Sequence, residues 1–154
     1  ESTIEQVQKI ATELRPRILD VLGVCEALRW QTRQFEKRTG ITCELTLRPD
    51  SLDLDADRSI TLFRIYQETL TNVARHAGAG RVDVRCEQFS DGIELEVVDD
   101  GQGITEQDVM DTQSLGLAGI RERAMVWGGE VQIQGTPDQG TRVFVRIPTK
   151  KHEG

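Results

Sequence analysis

Three stretches of this chain carry side chains whose types and spacing could do chemistry. Glu68 and Asn72 stand four residues apart and Arg75 and His76 follow one turn later, so on a helix all four share a face. Residues 97–103, V-V-D-D-G-Q-G, place Asp99 where an alternating, strand-like run gives way to glycines. Residues 114–119, S-L-G-L-A-G, open a further helical pattern. A carboxylate at a strand end can accept a hydrogen bond from an exocyclic amine, and glycines such as Gly101 and Gly103 let the backbone approach a flat base. Asn72 offers a neutral amide oxygen that can ligate Mg²⁺ without adding negative charge beside phosphates. Glu68 can hold or deprotonate a water or an incoming nucleophile near a terminal phosphate. The amides of Leu115, Gly116, Leu117 and Ala118, at a helix start, aim positive dipoles at phosphate oxygens. Together these parts meet the needs of Mg-ATP, with Arg75 and His76 as candidates for phosphate or ribose contacts. Singly each is ordinary: D-x-G-x-G marks common turns, and E-x-x-x-N-x-x-R-H on a helix is usually a solvated face. Their company in one chain carries the reading.

The elements that must position these residues follow from periodicity. Residues 3–38 are helical in pattern, with a break expected at Arg15-Pro16 and a second helix from Leu19 or Asp20 to Lys37 or Arg38. Ile41 to Leu47 alternates as a half-buried strand. A long helix then runs to Ala77, capped by Asp57 or a nearby acidic residue, with Ile60, Phe63, Leu70, Val73 or Ala74, and Ala77 as its core stripe. Two strands, residues 81–89 and 93–98, join through Ser90-Asp91-Gly92, a hairpin signal. Residues 104–115 are polar and aperiodic and read as a mobile loop. A helix over residues 116–127 ends at Gly128-Gly129, and strands over residues 130–134 and 141–147 close the chain before Pro148 and a short tail.

At 154 residues and 37% hydrophobic, the chain has the size and apolar content of one compact domain with an appended helical segment. Nineteen basic against 26 acidic side chains give a net charge of -7, which argues against a nucleic-acid surface. A single nucleotide remains compatible, because helix amides, a few arginines and one divalent cation can neutralise it locally. Cys25, Cys43 and Cys86 form no C-x-x-C, so reduced thiols are expected rather than a zinc site. No G-x-x-x-x-G-K-[ST] is present and no G-x-G-x-x-G follows a first strand, so neither a P-loop nor a dinucleotide fingerprint is available.

With these residues in view, R-I-Y-Q-E-T-L-T-N-V-A-R-H-A (64–77) resembles the N box of two-component sensor histidine kinases. V-V-D-D-G-Q-G-I (97–104) is similar to their first glycine box, S-L-G-L-A-G-I-R-E-R-A (114–124) to their second, and G-T-P-D-Q-G-T-R-V-F-V-R-I-P (135–148) to their G-T motif and last strand. Residues 13–30 and the G-I-R-E-R-A run resemble the subgroup typified by nitrate/nitrite sensors. The resemblance implies the Bergerat ATP-binding fold, an α/β sandwich with a mixed, mostly antiparallel sheet covered on one face by helices, as in DNA gyrase, the heat-shock chaperone of ninety kilodaltons and mismatch-repair ATPases. It also implies that ATP lies between the N-box helix and a lid formed by residues 104–115, with Ile104 and Thr141 among the nucleotide contacts. Ser114 stands where many relatives have the first glycine of the second box.

The organisation so implied is 1–38 as the end of the dimerisation region and connecting helix, 39–149 as the ATP-binding catalytic domain, and 150–154 as a tail. Neither His76 nor His152 has the flanking residues of a phosphoacceptor box, so the acceptor histidine is expected outside this chain. The expected partners are ATP, that histidine and a response regulator. The expected setting is the cytoplasm, whether or not the parent is anchored in a membrane, with the parent a homodimer and this fragment a monomer. A nucleotide-sensing module of the same fold without catalysis is the alternative.

Overall fold

Alternating apolar residues give each strand one face that must be hidden, and the helices supply the cover. The computed structural model describes residues 17–102, 117–136 and 138–149, except for the side chains of His76 and Ala77. The elements among them are helix α1 (Arg17–Thr39), strand β1 (Thr42–Arg48), helix α2 (Ala56–Asn72) continued by a π-helical turn (Val73–Ala77), strands β2 (Arg81–Phe89) and β3 (Gly92–Asp99), helix α3 (Leu117–Met125), and strands β4 (Glu130–Thr136) and β5 (Gly140–Pro148). The sheet order is β1-β2-β3-β5-β4, with β1 parallel to β2 and every other pair antiparallel. A parallel pair needs a crossover, which α2 provides. This is the two-layer α/β arrangement expected.

One sheet face, built from Val82, Val84, Cys86, Ile93, Leu95, Val97, Val143, Val145 and Ile147, is buried in a core shared with the helices. The opposite face is a lattice of charge. Arg85 lies 3.6 Å from Glu96 across β2 and β3, and Arg146 lies 3.9 Å from Glu94 across β5 and β3. Opposed charges at facing positions support the pairing register, each contributing modestly.

Helix α1 is broken at Gly23, whose φ of 85° and ψ of 175° are not helical. Before the break Val21 and Leu22 are exposed; beyond it Val24, Ala27, Leu28 and Phe35 are buried in the core. The apolar repeat runs unbroken through Gly23, so periodicity gives no sign of this kink. The break expected at Arg15-Pro16 lies outside the described residues.

Asp55 caps α2, accepting from the Arg58 amide at 2.8 Å, as the nearby acidic residue expected beside Asp57. The buried residues of α2 are Ser59, Leu62, Phe63, Arg64, Ile65, Tyr66, Thr69 and Leu70, with Val73 after them, while Ile60 is half-buried and Ala74 is exposed. The expected single stripe is too narrow because α2 is flanked by both α1 and α3 on the sheet. Tyr66 shows the consequence: it is fully buried, its hydroxyl 2.6 Å from that of Thr32 on α1 and 3.8 Å from the Cys43 sulfur on β1. At the other end, the Trp127 indole donates to the Thr61 hydroxyl (3.0 Å) and Arg58 stacks over its ring at 4.2 Å. Helix α3 ends at Met125, two residues short of the expected Trp127, and Gly128 with φ 71° turns the chain.

Candidate nucleotide-binding site

Asp99 is the last residue of β3, paired in register with Val82 on one side and Thr141 on the other. It is only 5% exposed, and its carboxylate accepts from the backbone amides of Gly101 (2.9 Å) and Thr141. Burial raises its pKa above the usual carboxylate value, and the two amides offset that rise in part. A buried carboxylate at a strand end, with acceptor capacity beyond the two amides it already holds, is a discriminating partner for an amine.

Its neighbour has the opposite environment. Asp100 is exposed and accepts from the amides of Arg81 (3.0 Å) and Gly80 (2.9 Å), which lower its pKa. The same residue donates its own amide to the Arg81 carbonyl at 3.2 Å. The start of β2, and with it the end of the α2 region, is therefore tied to the turn that carries Asp99. Gly140 completes the clamp: at φ 101° it lies so near β3 that a Cβ would collide with the Asp99 carbonyl. The Asp138 amide also donates to the Gln102 carbonyl at 2.7 Å. Asp100 and Gly140 are positioning residues that the sequence reading passed over; the available signals were an Asp doubled before a glycine turn and a glycine closing a hairpin.

On the helical layer, Glu68 and Asn72 are both half-buried, one turn apart on α2. The Glu68 carboxylate reaches the first turn of α3: a Cβ built on Gly119 would lie 3.2 Å from Glu68 Oε1 and 3.6 Å from Cδ. Leu117 is 2% exposed, its side chain in the core, so only its backbone is free to address a ligand; Ala118 and Thr141 are half-buried. Arg75 sits in the π-helical turn and is exposed. Such a turn advances fewer degrees per residue than an α-helix, so Arg75 does not keep the ideal-helix spacing from Glu68 and Asn72. The side chain of His76, and all of Gly103, Ile104, Leu115, Gly116 and the rest of residues 104–115, lie outside the described residues.

No cluster of three or more His, Cys, Asp or Glu side chains that could hold a metal occurs among the described residues. No helix among them is long and apolar enough to cross a membrane.

The profile of the histidine kinase-, DNA gyrase B- and HSP90-like ATPases matches residues 57–151. The chain is 36% identical over 147 residues to the signal transduction histidine-protein kinase/phosphatase UhpB of Salmonella typhimurium, covering 95% of this chain and 29% of that protein. With the oxygen sensor histidine kinase NreB of Staphylococcus carnosus it shares 33% identity over 145 residues, 94% of this chain and 42% of the other. It thus spans less than half the length of these relatives. Among solved structures, the histidine kinase domain of the blue-light activated histidine kinase from Erythrobacter litoralis EL346 superposes with a TM-score of 0.72 at 24% identity, over 82% of this chain and 61% of that one. The catalytic domain of histidine kinase ThkA gives 0.67 at 18% identity, over 80% and 90%.

Proposed function

Because the chain belongs to the histidine kinase-, DNA gyrase B- and HSP90-like ATPases, we propose that it is the ATP-binding catalytic domain of a sensor histidine kinase, passing the γ-phosphoryl group of ATP to a histidine outside this chain for relay to a response regulator. The observation that supports this reading is a pair of carboxylates in contrasting settings: Asp99, buried at the end of β3, and Glu68, half-buried on α2 against the first turn of α3. Asp99 accepts from the adenine amine, and Gly101 and Gly103 allow the base to lie close. The amides of Leu115, Gly116, Leu117 and Ala118 receive phosphate oxygens, joined by Arg75, His76, Ile104 and Thr141. Asn72 holds Mg²⁺, which supplies charge neutralisation across the phosphates when bound. Glu68 orients the incoming imidazole through the N–H of one ring nitrogen and takes that proton as the other nitrogen bonds to the γ-phosphorus and the β,γ-bridging oxygen departs with ADP. Residues 39–149 form the ATP-binding unit. Residues 1–38 join it to the dimerisation region of a homodimeric parent whose catalytic part works in the cytoplasm.

The reading separates binding from chemistry in one experiment. Asp99→Asn replaces one acceptor oxygen by a donor and should cost about 1.5 to 3 kcal/mol of affinity, a loss of roughly tenfold or more in calorimetric Mg-ATP binding. Glu68→Gln keeps shape but removes basicity, so affinity should hold or rise while transfer to a supplied dimerisation domain falls by about two orders of magnitude. Transfer by Glu68→Gln at the parent rate would remove the catalytic role and favour a nucleotide-sensing module.

A further inference from the structure

Gly119 is the third residue of α3, and its backbone has no positive φ, unlike Gly23, Gly40, Gly78, Gly128 and Gly140. Backbone freedom therefore does not explain a glycine here, in a helix where alanine is favoured. Its surroundings do. Beyond its chain neighbours and its own helix's backbone, and among the described residues, the three heavy atoms nearest to a Cβ placed at Gly119 all belong to one carboxylate: Glu68 Oε1 at 3.2 Å, Cδ at 3.6 Å and Oε2 at 3.7 Å. The volume a methyl group would fill is the volume the Glu68 carboxylate borders on.

We infer that Gly119 is a positioning residue: its missing side chain lets the Glu68 carboxylate lie flat against the first turn of α3, where phosphate-facing amides and the proton acceptor share one small space. The inference rests on the role proposed for Glu68 and adds what sets that carboxylate's place. A methyl group at 3.2 Å from Oε1 is closer than ordinary contact, so the carboxylate must retreat by a few tenths of an ångström. The long Glu side chain can yield that distance without disturbing the core, and alanine suits the helix, so Gly119→Ala alters chemistry rather than folding.

The test is a cycle of Gly119→Ala, Glu68→Gln and the double variant in the 154-residue chain, read by Mg-ATP affinity, by the rate of transfer to a supplied dimerisation domain, and by the ¹³C resonance of the Glu68 carboxyl. Gly119→Ala should keep affinity within about twofold and slow transfer by about three- to tenfold, since small misplacements of a reacting group carry large rate penalties. In the Glu68→Gln background the same change should alter transfer by less than about twofold, because the group it displaces no longer accepts the proton. Equal slowing in both backgrounds, or none in either, overturns the inference, as does a Glu68 resonance that Gly119→Ala leaves unmoved. A shifted resonance together with Glu68→Gln transfer at the parent rate would instead keep the contact and sink the catalytic role proposed for Glu68.

Discussion

Asp99 and Asp100 are adjacent carboxylates that the fold treats in opposite ways, and their pH dependence should differ in sign. Burial raises the pKa of Asp99, so its ionised form is disfavoured in the folded chain. Its contribution to stability is therefore full below the unfolded value of about 3.9 and lost as pH rises through the higher folded value. Asp99→Asn should consequently raise the melting temperature at pH 7 while weakening Mg-ATP binding, and the thermal gain should vanish as pH approaches 4. Backbone amides lower the pKa of Asp100, so its contribution is present above about 3.9 and lost as pH falls through the folded value. Asp100→Asn should lower the melting temperature at pH 7, with the gap closing in acid. Melting curves from pH 3.5 to 8 for the two variants check both signs; a shift in the same direction would contradict the contrast in environment.

Elements meet through a small number of side chains and close backbone approaches. The Tyr66 hydroxyl joins α2 to Thr32 of α1 at 2.6 Å in a fully buried position. The Thr32 hydroxyl also donates to the Leu28 carbonyl (2.9 Å), so Tyr66→Phe leaves Thr32 satisfied. The expected cost is about 1 kcal/mol, a fall of roughly 3 °C in the melting temperature. Gly140 joins β5 to the end of β3. Gly140→Ala meets both a φ of 101° and the Asp99 carbonyl, so about 1 to 3 kcal/mol of stability or more should be lost. Mg-ATP affinity should fall with it, because the Asp99 backbone must move. Urea unfolding and calorimetry on the two variants distinguish them: Tyr66→Phe tests helix packing, whereas an unchanged affinity in Gly140→Ala would show that β5 does not set the Asp99 position.

For the whole molecule, helices cover one sheet face and ion pairs such as Arg85–Glu96 cover the other, and on the proposed reading the net charge of -7 leaves a triphosphate dependent on local dipoles and Mg²⁺. Ligand at about one hundred times its dissociation constant should add about 2.7 kcal/mol to the unfolding free energy. Mg-GTP, whose base presents a carbonyl where adenine presents the amine, should add far less; equal stabilisation by both would remove the role given to Asp99. With only His76 and His152 in the chain, incubation with γ-labelled ATP should leave no acid-labile label on it. A stable label lost on changing either histidine would overturn the assignment of the acceptor to another segment.

Local signals placed most of these parts. Alternation located the five strands among the described residues, glycines and an acidic cap bounded the helices, and the spacing of Glu68 and Asn72 placed them on one helix face, because each depends on residues near in the chain. Asp99 was legible as a strand-end carboxylate for the same reason. The parallel pairing of β1 with β2, the kink at Gly23 and the π-helical turn at Val73–Ala77 were not, since hydrophobic period is blind to register and to single dihedrals. The breadth of the buried face of α2 depends on two neighbouring helices that its own sequence does not encode. Likewise Asp100 on the Gly80 and Arg81 amides, Gly140 on the Asp99 carbonyl and Gly119 on the Glu68 carboxylate join positions 19 to 51 residues apart. Sequence supplied the chemistry of these groups; only the folded chain decided which of them touch, because contact across such separations is set by sheet order and helix packing rather than by spacing.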